Sequence, residues 1–451
     1  MNILRYILPL ALATYFVWRA RKQRLFLLGI PFLMAMGPSI FFDNIRILPA
    51  NFGPLNILIW IFIAWLFICV GLPGENRLSI KGNSVFGKRL VFPDELFIIA
   101  VVIIWYINLG IAYATTYPFS FQTVTFFCSI FIGYLLLRGI FANVDRQEII
   151  QFIEAIIIVN AIACILYILH SGLHLPIYLE QNYQEATFEG AIIIRTFSVA
   201  PKFNELAVAF FMCKSKWNVK TISILFFTLL SMFFTYTRSL MIGIIILIVA
   251  SQFLLAIRYS HNIKRVFITF LILFIVTGST YFILNKYYPQ SIHFFTQRFE
   301  QASSIDILEQ NNSLSVRLNS LKSTYQMIEK VNPAIGIGFI DKANSPRLSQ
   351  ATYFTADNDY AGIIYRFGII GLICFICFYV FAAWRGLGTY LSSNENGTTW
   401  FWLVCFLWIC FFIYNGMFEW NVLQPSLYPI ALWMFALIEA RFVQEKIPAN
   451  L

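Results

Sequence analysis

The strongest constraint on this chain is the recurrence of sparsely charged apolar runs long enough to cross a bilayer. They fall at about 3–18, 25–42, 54–72, 96–114, 120–137, 149–170, 203–213, 219–236, 239–257, 266–285, 361–383, 399–416 and 424–440. A helix rises about 1.5 Å per residue and the hydrocarbon core is about 30 Å thick, so roughly 20 apolar residues span it. In lipid every backbone polar group must be satisfied inside the protein, which leaves helices or closed barrels. Barrel strands would alternate apolar and polar residues over short segments, whereas these runs are continuous. The expected fold is therefore all-α integral membrane: a polytopic bundle of about 12–13 transmembrane helices. Composition agrees, with 12 % charged residues against roughly a quarter in soluble domains.

The first run, Ile3 to Trp18, is followed by Arg19, Arg21, Lys22 and Arg24. A cleaved signal has the reverse order, so this segment reads as a retained helix. All eight cysteines lie inside apolar runs. No disulfide framework or zinc site is implied, and Cys374 and Cys377 read as packing residues. The net charge of +10 sits largely in short loops beside the runs. That is the positive-inside pattern rather than a nucleic-acid footprint. Attraction of anionic lipid or an anionic substrate stays open.

The basic clusters set the topology. Arg19 to Arg24, Arg77 to Arg89, Lys214 to Lys220, Arg258 to Arg265, Arg385 and Arg441 all fall on one side if there are thirteen spans. That side is expected to be cytoplasmic, with the N-terminus outside; a twelve-span version flips only the N-terminus. The expected organisation is 1–285, carrying ten helices and an outer loop at 171–202; 286–360, a large outer loop; and 361–451, with the last three helices and a cytoplasmic tail. Loops this long usually carry function. Within the large loop, Leu314, Leu318, Leu321, Tyr325 and Ile328 recur at helical spacing. They predict an amphipathic helix over 312–331, capped by Asn312 or Ser313 and ended by Asn332-Pro333. Residues 291–308 form a second, weaker helical pattern.

Charges at membrane depth are costly and mark candidate sites. Arg195, Glu205, Arg238, Arg366, Asp357, Asp359 and Glu419 all map to the outer ends of runs. This argues for a site at the outer surface and against a midplane ion path, and the paired repeats of transporters are absent. Arginine forks match phosphate oxygens. They can hold a lipid pyrophosphate as it leaves with growing charge, while a carboxylate takes a proton from an attacking sugar hydroxyl. This chemistry needs no metal and no cofactor. Bland readings stand beside it. Arg238 can snorkel at the interface. Arg317 can be an ordinary edge of the amphipathic face, and Asp357 and Asp359 a solvated helix cap. Arg366 and Glu205 can pair with each other or with Glu419. His170, His174 and His293 read as structural, and Gly336-Ile-Gly338 as a tight turn.

Four stretches together resemble the bacterial O-antigen polymerase and O-antigen ligase family. They are Arg195-Thr-Phe-Ser with Pro201-Lys-Phe-Asn204; Thr237-Arg238-Ser239 before a very apolar run; Arg317 leading to Asn332-Pro333-Ala-Ile-Gly336-Ile-Gly338; and Asp357-Asn358-Asp359-Tyr360 leading to Phe367-Gly368-Ile-Ile-Gly371. The resemblance covers roughly 190–440. It implies a GT-C-like, metal-independent glycosyltransferase in the bacterial inner membrane, its site facing the periplasm. The implied substrate is an undecaprenyl-pyrophosphate-linked oligosaccharide, with membrane lipid and a chain-length regulator protein as further partners. Asp357, Arg238 and Arg317 are the expected catalytic residues. Arg195, Asn204, Tyr236, Asn358, Asp359, Arg366 and Glu419 are the expected substrate contacts. Ligases carry His-Asn where this chain has Asp357-Asn358, which favours a polymerase. A ligase, and in another class a lipid-linked oligosaccharide flippase, are the alternatives.

Overall fold

A computed structural model describes residues 2–36, 47–48, 53–70, 95–114, 121–178, 183–196, 200–214, 217–258, 263–303, 359–392 and 399–417. Shorter described pieces lie at 321–322, 325–326, 328–329, 332–336 and 338. The helices, in chain order, are α1 (Asn2–Ala20), α2 (Gly29–Met36), α3 (Gly53–Trp65), α4 (Glu95–Ala114), α5 (Phe121–Ala142) and α6 (Arg146–Ser171). After a hairpin, β1 (Tyr183–Phe188) and β2 (Ala191–Thr196), come α7 (Ala200–Cys213), α8 (Val219–Phe233), α9 (Arg238–Arg258), α10 (Ile263–Tyr287) and α11 (Pro289–Ser303). Two more follow, α12 (Asp359–Ser392) and α13 (Trp400–Asn415). The chain is an all-α polytopic membrane protein. Among the described residues four helices are long and apolar enough to cross a membrane, and shorter apolar helices accompany them. The run at 424–440 lies outside the described residues, as does most of 312–331. There the described pairs Leu321-Lys322, Tyr325-Gln326 and Ile328-Glu329 are helical, and Ile328 is buried.

Lipid-facing and packed helices separate by their side chains. On α10, Phe267, Phe270, Phe274 and Phe282 are all exposed, Phe274 at 76 %. An aromatic face left this open to solvent suits hydrocarbon, not water. By contrast α6 buries residues on every side, from Ile149 to His170. Helix starts are readable locally. Asp145 accepts from the Gln147 N–H (3.2 Å) at the start of α6. Asn218 accepts from the Thr221 N–H (2.8 Å) at the start of α8. Both satisfy amides that the first turn would leave unpaired.

The chain divides into two compact units. The first holds Met1–Ile45, Asp145–Ile305 and Leu387–Phe411; the second holds Arg46–Val144, Asp306–Gly386 and Phe412–Leu451. In the first unit α6, α7 and α8 are joined by a polar clasp. Asn204 Oδ1 accepts from Asn160 Nδ2 (2.8 Å) and from the Cys164 thiol (3.0 Å). Its Nδ2 donates to Ser231 Oγ (2.8 Å) and to the Thr228 carbonyl (3.3 Å). Asn204 is 0 % exposed, and all of its hydrogen-bonding atoms are engaged inside the protein. Asn204→Leu strands partners on two helices, α6 and α8, and each orphaned buried group costs about 1–3 kcal/mol. The expected result is a clear fall in thermal midpoint of the detergent-solubilised chain. A midpoint equal to wild type would show that the clasp contributes nothing.

The two ends of this unit differ in character. At one end Glu154 accepts from Lys214 (2.7 Å) and Lys220 (3.1 Å), Arg258 lies over the Tyr390 ring (4.6 Å), and Arg146 over the Trp402 ring (5.3 Å). These are residues that the basic loops place on one side. At the other end the hairpin, the α8–α9 turn and α11 meet.

Candidate active site

The segment 171–202, expected to be an outer loop with a function of its own, contains the β1–β2 hairpin. Its register pairs Tyr183 with Thr196, Gln184 with Arg195 and Phe188 with Ala191. The connecting Glu189 and Gly190 both have positive φ (49° and 79°), which is the type I′ geometry that matches strand twist. The sequence signal was the β-branched Ile192-Ile193-Ile194 run next to Gly190, weak because Glu is a poor residue for a left-handed turn. The side chain of Glu189 has a task there: it pairs with His293 Nδ1 on α11 (2.9 Å). This contact and the edge-on Phe188–His293 rings (5.7 Å) tie the hairpin tip to α11. His170 has its ring against the Leu175 carbonyl (2.7 Å) and the Tyr178 ring.

Under the hairpin lies an aromatic cluster. Tyr167, Ile193, Leu230, Phe233, Phe234, Tyr236 and Leu284 are its buried members, and Phe188, Tyr288, Ile292, Phe294 and Phe295 pack on it. Helix α11 supplies three of these, so the weaker pattern at 291–308 is helical over its described part, to Ser303, and its apolar face has found a partner. The Tyr236–Phe294 rings are 5.4 Å apart and nearly perpendicular, the favourable edge-to-face arrangement.

Tyr236 controls the turn between α8 and α9. It has φ 51°, a left-handed conformation that costs a bulky residue on the order of 1–3 kcal/mol. The surroundings enforce it. Thr235 Oγ1 donates to the Met232 carbonyl (2.8 Å) and accepts from the Thr237 N–H (3.2 Å), and Thr237 Oγ1 donates to the Thr235 carbonyl (3.1 Å). The Tyr236 hydroxyl reaches Ser291 Oγ on α11 (3.2 Å). The ring is 2 % exposed. The product of this bracing is a fixed start for α9, whose first residue is Arg238.

The second unit contains a separate construction. Helix α12 is broken at Gly368, which has φ 67° and ψ −168°, a conformation essentially confined to glycine. A turn within the large loop, at Asn332–Gly338, heals the break. Ile369 N–H donates to the Pro333 carbonyl (3.0 Å), Ile370 N–H to Ala334 (3.1 Å), and Gly338 N–H to the Arg366 carbonyl (3.0 Å). Asn332 closes the turn by accepting from the Gly336 N–H through its carbonyl (3.0 Å) and from Ala334 through Oδ1 (3.2 Å). A break at membrane depth persists only where its freed backbone groups find partners. Arg366 Nη1 donates back to the Gly362 carbonyl (3.3 Å), and Tyr360 donates to the Ile413 carbonyl (2.6 Å). The third and fourth sequence stretches, read separately, are thus joined physically.

Of the sequence-derived site residues, the first unit holds Asn204, Tyr236 and Arg238, with Arg195 on β2. Arg238 is half-buried, Asn204 and Tyr236 are buried within protein. In the second unit Asp359 opens α12 and Arg366 precedes its break. Asp357, Asn358, Arg317 and Glu419 lie outside the described residues. What sequence reading missed is the bracing: Asn160, Ser231 and Ser291 in one unit, and Asn108 in the other. For Asn160, Ser231 and Asn108 the signal was a single polar residue in an apolar run; Ser291, in the large loop, gave none.

The fold and these constructions define a polytopic α-helical membrane protein with its polar structure gathered at helix ends. Residues 223–376 match the O-antigen ligase family. The match supports an assignment to the O-antigen polymerase and ligase family, a family of glycosyltransferase-like enzymes. It spans α8 to the first part of α12, and so takes in Tyr236, Arg238, Arg317, Asp357 and the Gly368 break. No curated protein matches the chain.

Proposed function

We propose that this protein is an O-antigen polymerase. In this reading it works in the bacterial inner membrane and its site faces the periplasm. A hydroxyl of a lipid-linked repeat unit attacks the anomeric carbon of a growing chain. The new glycosidic bond forms, the bond from that carbon to the pyrophosphate oxygen breaks, and undecaprenyl pyrophosphate leaves. Asp357 takes the hydroxyl proton as general base. Arg238, Arg317 and Arg195 hold the pyrophosphate and offset its growing charge. Asn358, Asp359, Arg366 and Glu419 contact the glycan or the acceptor. Tyr236 and Asn204 act by setting the start of α9 and the α6–α7–α8 packing.

The observation that carries the reading is the braced Thr235–Tyr236–Thr237 turn ahead of Arg238. A helix N-terminus already bears partial positive charge. Placing a guanidinium at the first residue of a long apolar helix is unfavourable for the helix alone, and maintaining a strained Tyr236 to do so adds to the cost. The combination is what an anion at the membrane surface calls for. A metal plays no part in the proposed step.

The ligase reading is favoured by one observation, that the matching family is described as O-antigen ligase. A glycan ladder from cells lacking this gene separates the two. A surface glycan reduced to core plus one repeat unit supports the polymerase. A bare core with polymer retained on the lipid carrier supports the ligase. An unchanged ladder rejects both and favours a flippase or another membrane role.

A further inference from the structure

One side chain of α4 fastens the Asn332–Gly338 turn of the large loop to the break in α12. Asn108 is 5 % exposed. Its Nδ2 donates to the Ile335 carbonyl (2.8 Å) and to the Arg366 carbonyl (3.1 Å). One amide group therefore bridges the turn and the helix. The Arg366 carbonyl, beside the break, receives both Asn108 and the Gly338 N–H. The packing is close as well: a side-chain carbon at Gly338 would lie 2.8 Å from Asn108 Cβ. Leucine has similar volume and no donor, so it fills the space and removes the side-chain hydrogen bonds to the Ile335 and Arg366 carbonyls, the second of which keeps the Gly338 N–H.

The consequence is geometric. The part of α12 before the break, Asp359–Phe367, rises about 13 Å. A tilt of about 10° at the break would move its far end by about 2 Å. Misplacement by about 1 Å can lower a rate by about a hundredfold. Asp357 lies two residues ahead of that far end and Arg366 lies at the near end.

We propose that Asn108 is a positioning residue of the transfer site, holding the Asn332–Gly338 turn against the Gly368 break so that the start of α12 and Arg366 keep one register towards substrate. This rests on the functional reading above. Asn108 lies outside the four stretches that carry the resemblance and outside the matched segment.

The test uses the full chain in lipid nanodiscs, as wild type, Asn108→Leu and Asn108→Ser. Two quantities are read. The first is hydrogen exchange at the amides of Gly338, Ile369 and Ile370, with α6 amides as the internal control. The second is transfer between undecaprenyl-pyrophosphate-linked repeat units, resolved into kcat and KM. The expected result is exchange at least tenfold faster at the junction, unchanged exchange in α6, and kcat at least tenfold lower with KM within about twofold. Unchanged junction exchange in a folded variant overturns the proposal, as does faster exchange with wild-type kcat. If Asn108→Leu does not fold, Asn108→Ser is judged by the same criteria. A wild-type chain that transfers nothing overturns the functional reading instead, and the exchange arm then decides alone whether Asn108 holds the junction.

Discussion

Replacing Arg238 with alanine is expected to abolish long glycan chains while the protein still inserts and folds. Removing one well-placed donor from a site that stabilises developing negative charge lowers rates by about 10²–10³-fold. Stability should move the other way or not at all. A cation at a helix N-terminus opposes the helix dipole by roughly 0.3–1 kcal/mol, and Arg238 is the first residue of α9. Arg238→Lys keeps the charge and loses the two-pronged geometry, so shortened chains are expected. The measurement is a glycan ladder from cells expressing each variant, beside a blot for membrane-inserted protein. A wild-type ladder from inserted Arg238→Ala would remove Arg238 from the site. A ladder lost together with the protein would place Arg238 in folding.

The largest effect on stability is expected from Gly368→Ala. Two penalties coincide there. The backbone is at φ 67°, which an alanine resists at about 1–3 kcal/mol. The added carbon would also lie 2.3 Å from the Ala334 carbonyl oxygen, a backbone atom that cannot rotate away. Overpacking of this kind adds about 1–3 kcal/mol. Relief by separation would break the Ile369 and Ile370 hydrogen bonds to Pro333 and Ala334. The combined loss, about 2–6 kcal/mol, should leave little folded protein in detergent extracts. Gly278→Ala is the control. It lies inside α10 with open space around it, where alanine is favoured by up to about 1 kcal/mol. A Gly368→Ala protein as stable as the Gly278→Ala protein would show that the break is not required.

The two predictions separate chemistry from architecture. Arg238 concerns a charge that the fold maintains against helix preference. Gly368 concerns a backbone conformation that the fold cannot exchange for another. Asn108 belongs with Gly368: it has no reactive role in the proposed step, and its effect on rate is exerted through the Arg366 carbonyl and the turn it holds.

The helices were legible in the sequence because the solvent is apolar. A run without charges has one low-energy solution in lipid, and it does not depend on what packs beside it. The expected runs at 96–114, 149–170 and 239–257 accordingly became Glu95–Ala114, Arg146–Ser171 and Arg238–Arg258. Caps such as Asp145 and Asn218 were local and equally readable. The arginines at helix ends were legible too, because charge at the edge of an apolar run is conspicuous. The tertiary structure alone decided how turns and helix ends meet. Nothing within Phe367-Gly368-Ile369 says that the freed amides will be taken by Pro333 and Ala334, since those acceptors are distant in sequence and become neighbours only on folding. The same holds for Asn108 and Asn204, each a lone amide in an apolar run whose partners come from other segments. The hairpin at Tyr183–Thr196 was hidden for a related reason. Its turn uses Glu189, a residue with little preference for that conformation, and becomes favourable only through packing on the Tyr236 cluster and the contact with His293. Apolar pattern and charge are properties of single segments and are written into the sequence; the satisfaction of polar groups inside a membrane protein depends on pairs of segments, and only the fold specifies the pairs.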